Sequence, residues 1–316
     1  MSSDPPTVRA WGWAKGHGTE NDFVLLPDPD GIVHGPLTSP ESVAWVAALC
    51  DRHRGLGADG VIRVVRASAL ATAHDVPAAK QAVADGVEWF MDYRNADGST
   101  SEMCGNGIRV LAQWLAEEGL LGAAAAGGAG RAEEVRIGTR SGTLQLSSGT
   151  VGRWSVDMGP VARLPASRVS AGSRSWPAIG VDAGNPHVVV EVADLAEAGP
   201  LIEPPAYDTA VYPDGVNVEF VAAAGERHVR MRVHERGSGE TRSCGTGACA
   251  AAVLAERLAA APPRPASYRV DVPGGRLDVL LRADGHAVLT GPAEVVARGT
   301  MSWSEPWTGA AAVKLR

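Results

Sequence analysis

The tetrapeptide Cys-Gly-x-Gly occurs twice in this chain of 316 residues, at 104–107 and at 244–247. Each copy opens an apolar stretch that predicts a helix beginning just after the cysteine. The positive end of a helix dipole lowers the pKa of a thiol placed there and makes thiolate available near neutral pH. One such cysteine suggests a nucleophile or a redox thiol. Two, in matching positions of two half-chains, predict an active site with paired thiols.

The surroundings of the two cysteines repeat as well. Asn95 and Glu235 each lie nine residues before their cysteine, in a polar, glycine-containing interval that follows a strand-like run. Two strands joined by a glycine turn follow each helix, and Asn21 and Asn185 each stand directly before an earlier strand. The order is kept while the loops differ in length, which indicates duplication at the scale of a domain. We therefore predict α+β domains in which a sheet wraps one main helix.

Composition narrows the class of protein. An apolar content of 45% supports two ordinary cores, and a net charge of −7 without a basic run argues against nucleic-acid or anionic-membrane partners. The first sixteen residues lack the apolar core of a signal peptide, and no stretch approaches the roughly 20 apolar residues of a membrane span. We expect a soluble, cytoplasmic protein.

The sequence contains no pattern for a metal or cofactor. Cys50 and Cys249 stand within apolar helical stretches and are expected in the core, and no C-x-x-C pair suggests zinc. The three lysines, Lys15, Lys80 and Lys314, lack the surroundings of a pyridoxal phosphate (PLP) site. Neither G-x-G-x-x-G after a strand nor a P-loop is present. We expect no cofactor and no metal.

Two thiols on opposite sides of one carbon atom suit one kind of reaction. A thiolate removes the proton next to a carboxylate, and the other thiol delivers a proton to the opposite face, which inverts the configuration. Backbone N–H groups at the helix N-termini bind the carboxylate and stabilise the negative charge that develops. The sequence thus predicts an acid–base racemase or epimerase.

Seven blocks of sequence resemble the diaminopimelate epimerase family. They run in the family's order across nearly the whole chain, at residues 17–23, 51–60, 95–99, 104–107, 184–187, 217–220 and 235–247. The resemblance implies a PLP-independent epimerase that interconverts LL- and meso-diaminopimelate for lysine and peptidoglycan synthesis. It also implies a homodimer of chains with two pseudo-symmetric domains, each a mostly antiparallel sheet or barrel around a central helix. We expect one domain at 1–156 with 291–316, and the other at 157–290.

The resemblance also implies roles for single residues. Cys104 and Cys244 are the acid–base thiols, and His187 and Glu235 tune the pKa values of those thiols. Arg236 suits the distal carboxylate of the substrate, because a guanidinium binds a carboxylate through two N–H groups. The full set of expected substrate contacts is Asn21, Asn95, Gly105, Asn106, Asn185, Asn217, Glu235, Arg236, Gly245 and Thr246.

One position departs from the family pattern. Many members carry glutamine where this chain has Gly60, and the resemblance implies that this glutamine reaches the distal end of the substrate. We expect its loss to remove a contact or to leave its place to water. The alanine- and glycine-rich segment 119–132 is expected to be a loop without chemistry.

Two other functions stay open at this point. The first is a related cofactor-independent amino-acid racemase of the same fold, similar to proline racemase. Arg236 and the four asparagines argue against it, because proline has no distal charged centre. The second is a thiol redox protein, in which Cys104 and Cys244 form a reversible disulfide.

Overall fold

The computed structural model describes residues 8–74, 76–121, 133–150, 152–304 and 314–315. The described chain is α+β, as predicted. Its strands are β1 (Val8–Gly18), β2 (Asn21–Pro27), β3 (Gly60–Arg66), β4 (Trp89–Asn95), β5 (Glu133–Thr139), β6 (Gly142–Thr150), β7 (Arg153–Pro160), β8 (Ala162–Ala171), β9 (Arg174–Asp182), β10 (Pro186–Glu191), β11 (Ala206–Tyr207), β12 (Asn217–Gly225), β13 (His228–Glu235), β14 (Gly239–Thr241), β15 (Ala266–Val272), β16 (Gly275–Leu281), β17 (His286–Pro292), β18 (Glu294–Ser304) and β19 (Lys314–Leu315).

Five α-helices and one short 3-10 turn complete the described residues. They are α1 (Pro40–Cys50), α2 (Ala67–Ala73), α3 (Pro77–Ala84), α4 (Gly105–Glu117), the turn Leu195–Ala198, and α5 (Gly245–Leu258). The helices α4 and α5 begin where the two Cys-Gly-x-Gly motifs predict a helix. The short helices α2 and α3 were not predicted. No helix in the described part of the chain combines the length and apolar character needed to cross a membrane.

The chain divides into two compact units by its internal contacts. Unit 1 contains the described residues of Met1–His17, Asp22–Leu146 and Ala293–Arg316, and unit 2 contains Gly18–Asn21 and Ser147–Pro292. The strand β7, which a boundary at 156/157 would cut, lies wholly in unit 2 because it pairs antiparallel with β17. Residues 1–7 and most of the segment 119–132 lie outside the described residues.

The two units repeat one pattern of strand pairing. In unit 1, β2 and β3 are parallel, β3 and β4 antiparallel, and β4 and β5 parallel. In unit 2, β10, β12, β13 and β15 follow the same order of parallel, antiparallel and parallel pairs. Phe23 is opposite Gly60 in the first pair, and His187 is opposite Asn217 in the second. The predicted duplication is therefore present residue by residue.

The helix α5 forms the core of unit 2. It contacts β9, β10, β12, β13, β15, β16 and β17, so strands surround it. Every residue from Gly245 to Glu256 is buried, and the run Ala250–Ala252 allows strands to approach closely on several sides. Cys249 is fully buried here, and Cys50 is buried at the end of α1 in unit 1. Both are core residues, as expected.

Candidate active site

The two motif cysteines are the N-cap residues of α4 and α5. Both have extended backbone angles, φ −141° and ψ 120° at Cys104 and φ −124° and ψ 120° at Cys244. Each sulfur accepts a hydrogen bond from the backbone N–H of the third residue of its helix. The donor is Gly107 for Cys104, at 3.5 Å, and Gly247 for Cys244, at 3.4 Å. An N-cap side chain normally accepts such a bond, so each thiol serves as the local cap. None of the four cysteines forms a disulfide bond.

Close packing requires the second glycine of each motif. A Cβ at Gly107 would lie 3.1 Å from Cδ1 of Ile62, and a Cβ at Gly247 would lie 2.8 Å from Oε1 of Glu219. The first turn of each helix therefore packs directly on its sheet. This contact fixes the direction in which the N-terminal N–H groups, including those of Gly105 and Gly245, point.

Glu235 lies beside the thiol of Cys244 in unit 2. Its carboxylate accepts hydrogen bonds from the Cys244 thiol and from the Thr241 hydroxyl. Burial nevertheless raises the pKa of Glu235, and the charge of Glu219 adds to that rise. The hydroxyl of Thr246 lies 3.4 Å from the Cys244 sulfur. Cys244, Glu235 and Thr246 are therefore brought together as expected.

The pKa of Cys244 differs from the simple helix-dipole expectation. Burial raises it well above its ordinary value, and the charges of Glu235 and Glu219 raise it further. The hydrogen bonds from Thr246 and Gly247 lower it but do not compensate. The prediction of a lowered pKa was wrong for this thiol, because desolvation and two carboxylates outweigh the helix N-terminus.

His187 is held between two oxygen atoms in the interior of unit 2. Its Nδ1 lies 2.6 Å from Oε1 of Glu219, and its Nε2 lies 2.8 Å from Oδ1 of Asn185. His187 and Glu219 are both fully buried. Glu219 lies in the block 217–220 of the family resemblance, but no role was predicted for it. Its carboxylate stands among the apolar residues of β12, and this unusual position could have indicated a functional role.

Asn217 and Arg236 are joined through the backbone. The Asn217 side-chain oxygen accepts the N–H of Arg236 at 2.9 Å, and Arg236 Nη1 donates to the carbonyl of Asp214 at 2.7 Å. The Arg236 side chain passes over Gly215, where a Cβ would lie 2.6 Å from its Cδ. Gly215 also has φ +87°. An exposed arginine is thus anchored at its base and at one nitrogen.

The binding candidates of unit 1 are organised by local hydrogen bonds. Asn95 Nδ2 donates to the Ser99 hydroxyl at 2.9 Å within the turn after β4. The Asn106 side-chain oxygen accepts from Arg109 Nη2 at 2.8 Å, and the carbonyl of Gly105 accepts from Arg109 Nη1 at 3.1 Å. Arg109 is fully buried and was missed by the sequence analysis. Arg109 follows Asn106 by three residues and Gly105 by four. This helical spacing could have indicated that its side chain reaches them.

Asn21 ends the short segment Gly18–Asn21, which belongs to unit 2 although the chain on both sides of it belongs to unit 1. The hydroxyls of Thr19 and Ser243 are buried and lie 2.7 Å apart, and Arg242 pairs with Glu20. The segment that carries Asn21 is therefore fastened to the residues just before Cys244. Asn21 itself is 8% exposed.

Gly60 does not leave room for water in the direction of a side chain. A Cβ at this position would lie 2.5 Å from Cε2 of Tyr93 and 2.6 Å from the carbonyl of Arg94. The Tyr93 hydroxyl oxygen would be only 2.9 Å away. Gly60 is opposite Asn95 in the β3–β4 ladder. The ring of Tyr93 thus occupies the space in which a side chain at position 60 would begin.

Each unit presents one thiol with its own set of polar groups. Unit 2 holds Cys244 with Glu235, His187, Asn185, Asn21, Asn217, Arg236, Gly245 and Thr246, whereas unit 1 holds Cys104 with Gly105, Asn106 and Asn95. Among the described residues, no group of three or more His, Cys, Asp or Glu side chains could hold a metal ion.

Sequence comparison places this site in a known family. The diaminopimelate epimerase family model matches residues 13–164 and 179–296. The chain belongs to the diaminopimelate epimerase family. It is similar to the diaminopimelate epimerases of Streptomyces coelicolor, at 51% identity over 92% of this chain and 96% of the relative, and of Thermobifida fusca, at 46% over 92% and 98%. The family is one of isomerases.

Solved structures support the fold. A hydroxyproline epimerase from Agrobacterium vitis has a TM-score of 0.66 at 15% identity and covers 95% of each chain. A PhzF-family phenazine biosynthesis protein from Bacillus anthracis has a TM-score of 0.59 at 16% identity over 92% of this chain and 99% of that chain. At these identities the likeness concerns the fold alone, and it confirms the predicted fold class.

Proposed function

We propose that this family member interconverts LL- and meso-diaminopimelate by two-thiol acid–base chemistry without PLP. The observation that carries the proposal is the pair of N-cap cysteines, Cys104 and Cys244, at equivalent positions of two duplicated units. The relatives' names supply the substrate. In this reaction one thiolate takes the α-proton, and the other thiol gives a proton to the opposite face.

The helix N-termini supply the charge stabilisation that the reaction needs. Backbone N–H groups of Gly105, Asn106, Gly245 and Thr246 bind the α-carboxylate and stabilise the carbanion's charge as the proton leaves. Arg109 supports this role, because its guanidinium fixes Asn106 and the Gly105 carbonyl.

Glu235 and His187 tune the thiols. The Cys244 thiol donates a hydrogen bond to Glu235, so a proton leaving Cys244 has an acceptor in direct contact. The raised pKa of Cys244 keeps this thiol protonated near neutral pH, as suits the proton donor of the pair. His187, held by Asn185 and Glu219, is the second tuning group of the proposal.

Polar side chains bind the distal amino-acid centre of the substrate. Arg236 takes the distal carboxylate, because it is exposed and its base is anchored by Asn217 and Asp214. The asparagines bind the ammonium and carboxylate groups around it, since an amide both donates and accepts. These are Asn21, Asn95, Asn185 and Asn217.

The test is turnover of LL-diaminopimelate in deuterium oxide. We expect deuterium at the α-carbon of the product, and we expect Cys104→Ser and Cys244→Ser each to lower kcat by about 10²-fold or more, because a hydroxyl is a far poorer base. The matched controls are Cys50→Ser and Cys249→Ala, in which core cysteines change. Product without deuterium, or full activity in either motif variant, contradicts the mechanism.

L-Proline supplies the competing substrate. Epimerisation of proline in place of diaminopimelate would identify the chain as a proline racemase-like enzyme. If the protein epimerises neither substrate but catalyses thiol–disulfide exchange, the redox alternative is favoured.

We further propose that the protein is a cytoplasmic homodimer and that its functional halves are 1–156 with 291–316 and 157–290. The repeated strand pairing of the two units supports two halves, and β7, which crosses 156/157, is the place where the proposed boundary is tested. Sedimentation equilibrium tests the dimer, cell fractionation tests the location, and limited proteolysis tests the boundaries.

A further inference from the structure

Glu219 is a buried carboxylate to which the proposed mechanism gives no direct step. Its Oε1 lies 2.6 Å from Nδ1 of His187, and both side chains are fully buried. Within the described residues, its Oε2 has no hydrogen-bond partner. Burial of a charged group costs free energy that one contact offsets only in part. This carboxylate therefore needs an explanation other than stability.

The duplication shows what the fold itself requires at this place. The registers of β2–β3 and β10–β12 make Phe23 equivalent to His187 and Ile62 equivalent to Glu219. Unit 1 thus fills with two apolar side chains the place that unit 2 fills with an imidazole and a carboxylate. The same architecture forms without the charged pair.

Residues of both pairs lie against the first turn of the helix that carries the thiol. Beneath α4, Cδ1 of Ile62 lies 3.1 Å and the ring of Phe23 3.4 Å from a Cβ built on Gly107. Beneath α5, Oε1 of Glu219 lies 2.8 Å from a Cβ built on Gly247. The charged pair therefore replaces the apolar pair directly under the helix turn that begins at Cys244.

The contacts of His187 explain what the carboxylate does. The ring nitrogens face two oxygens, Oε1 of Glu219 and Oδ1 of Asn185. A ring N–H at either position donates to the oxygen that it faces. Glu219 thereby fixes the orientation and proton positions of the ring, as an orienting carboxylate does for a catalytic histidine.

We propose that Glu219 is a positioning residue for the reaction, which holds His187 from its own place beneath the first turn of α5 and is retained for activity and not for folding. This inference rests on the proposed function. Glu219 also acts on the thiol site at a distance, since its charge raises the pKa of both Cys244 and Glu235.

The first experiment replaces one carboxylate by an amide in the full-length protein. For Glu219→Gln we expect kcat for LL-diaminopimelate to fall by about tenfold or more with KM changed by less than about twofold, because loss of an orienting partner typically costs 10- to 100-fold. The ¹⁵N chemical shifts of the His187 ring should move at the same time. Glu256→Gln is the matched control, since Glu256 is a buried carboxylate of the same unit paired with Arg264.

The second experiment transfers the pair of unit 1 into unit 2. The double variant His187→Phe with Glu219→Ile should fold, with a Tm at or above that of the unaltered protein, and should lose epimerase activity. Unfolding of this double variant would show that the charged pair is structural and would overturn the proposal. Unchanged ring shifts or unchanged kcat in Glu219→Gln would overturn it as well.

Failure of the proposed function has a different signature. An unaltered protein that does not epimerise diaminopimelate refutes the substrate assignment, whatever the variants do. The ¹⁵N shifts of His187 in Glu219→Gln then decide by themselves whether Glu219 holds the ring. Movement supports that part of the inference, and absence of movement contradicts it.

Discussion

A cysteine at a helix N-cap experiences opposing influences on its pKa. The helix N-terminus favours thiolate, whereas burial and neighbouring carboxylates favour the thiol. At Cys244 the second group prevails, because the residue is 5% exposed and two carboxylates act on it. The equivalent residue of unit 1, Cys104, is more exposed. Equivalent sequence motifs thus hold thiols that differ in burial.

Alkylation near neutral pH tests this difference. We expect iodoacetamide to modify Cys104 before Cys244, because Cys244 is buried and keeps its proton. Glu235→Gln should speed alkylation of Cys244, since it removes a charge that raises the thiol pKa. Peptide mapping by mass spectrometry gives both rates. Glu240→Gln, on β14 and paired with Arg232, is the control. Unchanged or slower alkylation in Glu235→Gln would contradict the assignment.

At the scale of elements, the ladder between β3 and β4 depends on one small residue. Gly60 is opposite Asn95, and the ring of Tyr93 lies where its side chain would be. Tyr93 packs edge-on against Phe23, with ring centroids 5.8 Å apart. Phe23 in turn contacts the helix turn at Gly107. The strand pair, the aromatic rings and the start of α4 therefore form one packed group.

Substitution of Gly60 tests this packing. Gly60→Ala should lower the free energy of unfolding by about 1–3 kcal/mol, because its Cβ would meet a ring and a backbone carbonyl. Urea unfolding measures the change. Gly149→Ala is the control, since nothing lies within 4 Å of a Cβ there, and it should change stability by less than about 0.5 kcal/mol. Equal effects at both positions would show that the contact with Tyr93 is unimportant.

In the whole molecule, the two units share a pattern of strand pairing but differ in the charged side chains that they bury. Unit 1 buries a network in which Asp92 accepts from Arg63 at 2.9 Å, Arg94 at 2.8 Å and Arg140 at 2.6 Å. Arg94 also donates to the carbonyls of Pro36 and Leu37, which fastens the loop after β2 to the sheet. In unit 2 the fully buried pair of His187 and Glu219 lies near the thiol of Cys244, whereas the buried Glu256 pairs with Arg264 further along α5.

The network predicts how stability depends on pH. Burial alone would raise the pKa of Asp92, but the charges of Arg94, Arg63 and Arg140 lower it below its ordinary value. A lowered pKa in the folded state stabilises the protein above the ordinary aspartate pKa of about 4, and this contribution is lost as pH falls through the folded-state pKa. Stability should therefore fall on acidification below about pH 4.

Asp92→Asn isolates this contribution. Near neutral pH we expect a loss of about 3–5 kcal/mol, because the buried Arg63 and Arg94 and the partly buried Arg140 lose their shared anion. The difference from the unaltered protein should narrow as the pH is lowered, since protonation removes the same charge. Thermal unfolding across pH provides the measurement. Asp284→Asn, in an exposed pair with Arg282, should leave Tm unchanged. A difference that stays constant with pH would contradict this role.

Features that depend on short segments and on repetition can be predicted from the amino-acid sequence. Helices capped by Cys104 and Cys244, a duplicated α+β plan and membership of an epimerase family all follow from local patterns that recur along the chain. Buried Cys50 and Cys249 follow from the apolar stretches around them.

Features that depend on contacts between distant segments become visible in the folded protein. The pKa of Cys244 is raised by its burial and by Glu235 and Glu219, which lie on the strands β13 and β12. The space at Gly60 is filled by Tyr93 from the neighbouring strand. Desolvation and packing depend on which residues are close together in the folded protein, and the order of residues along the chain does not give those contacts.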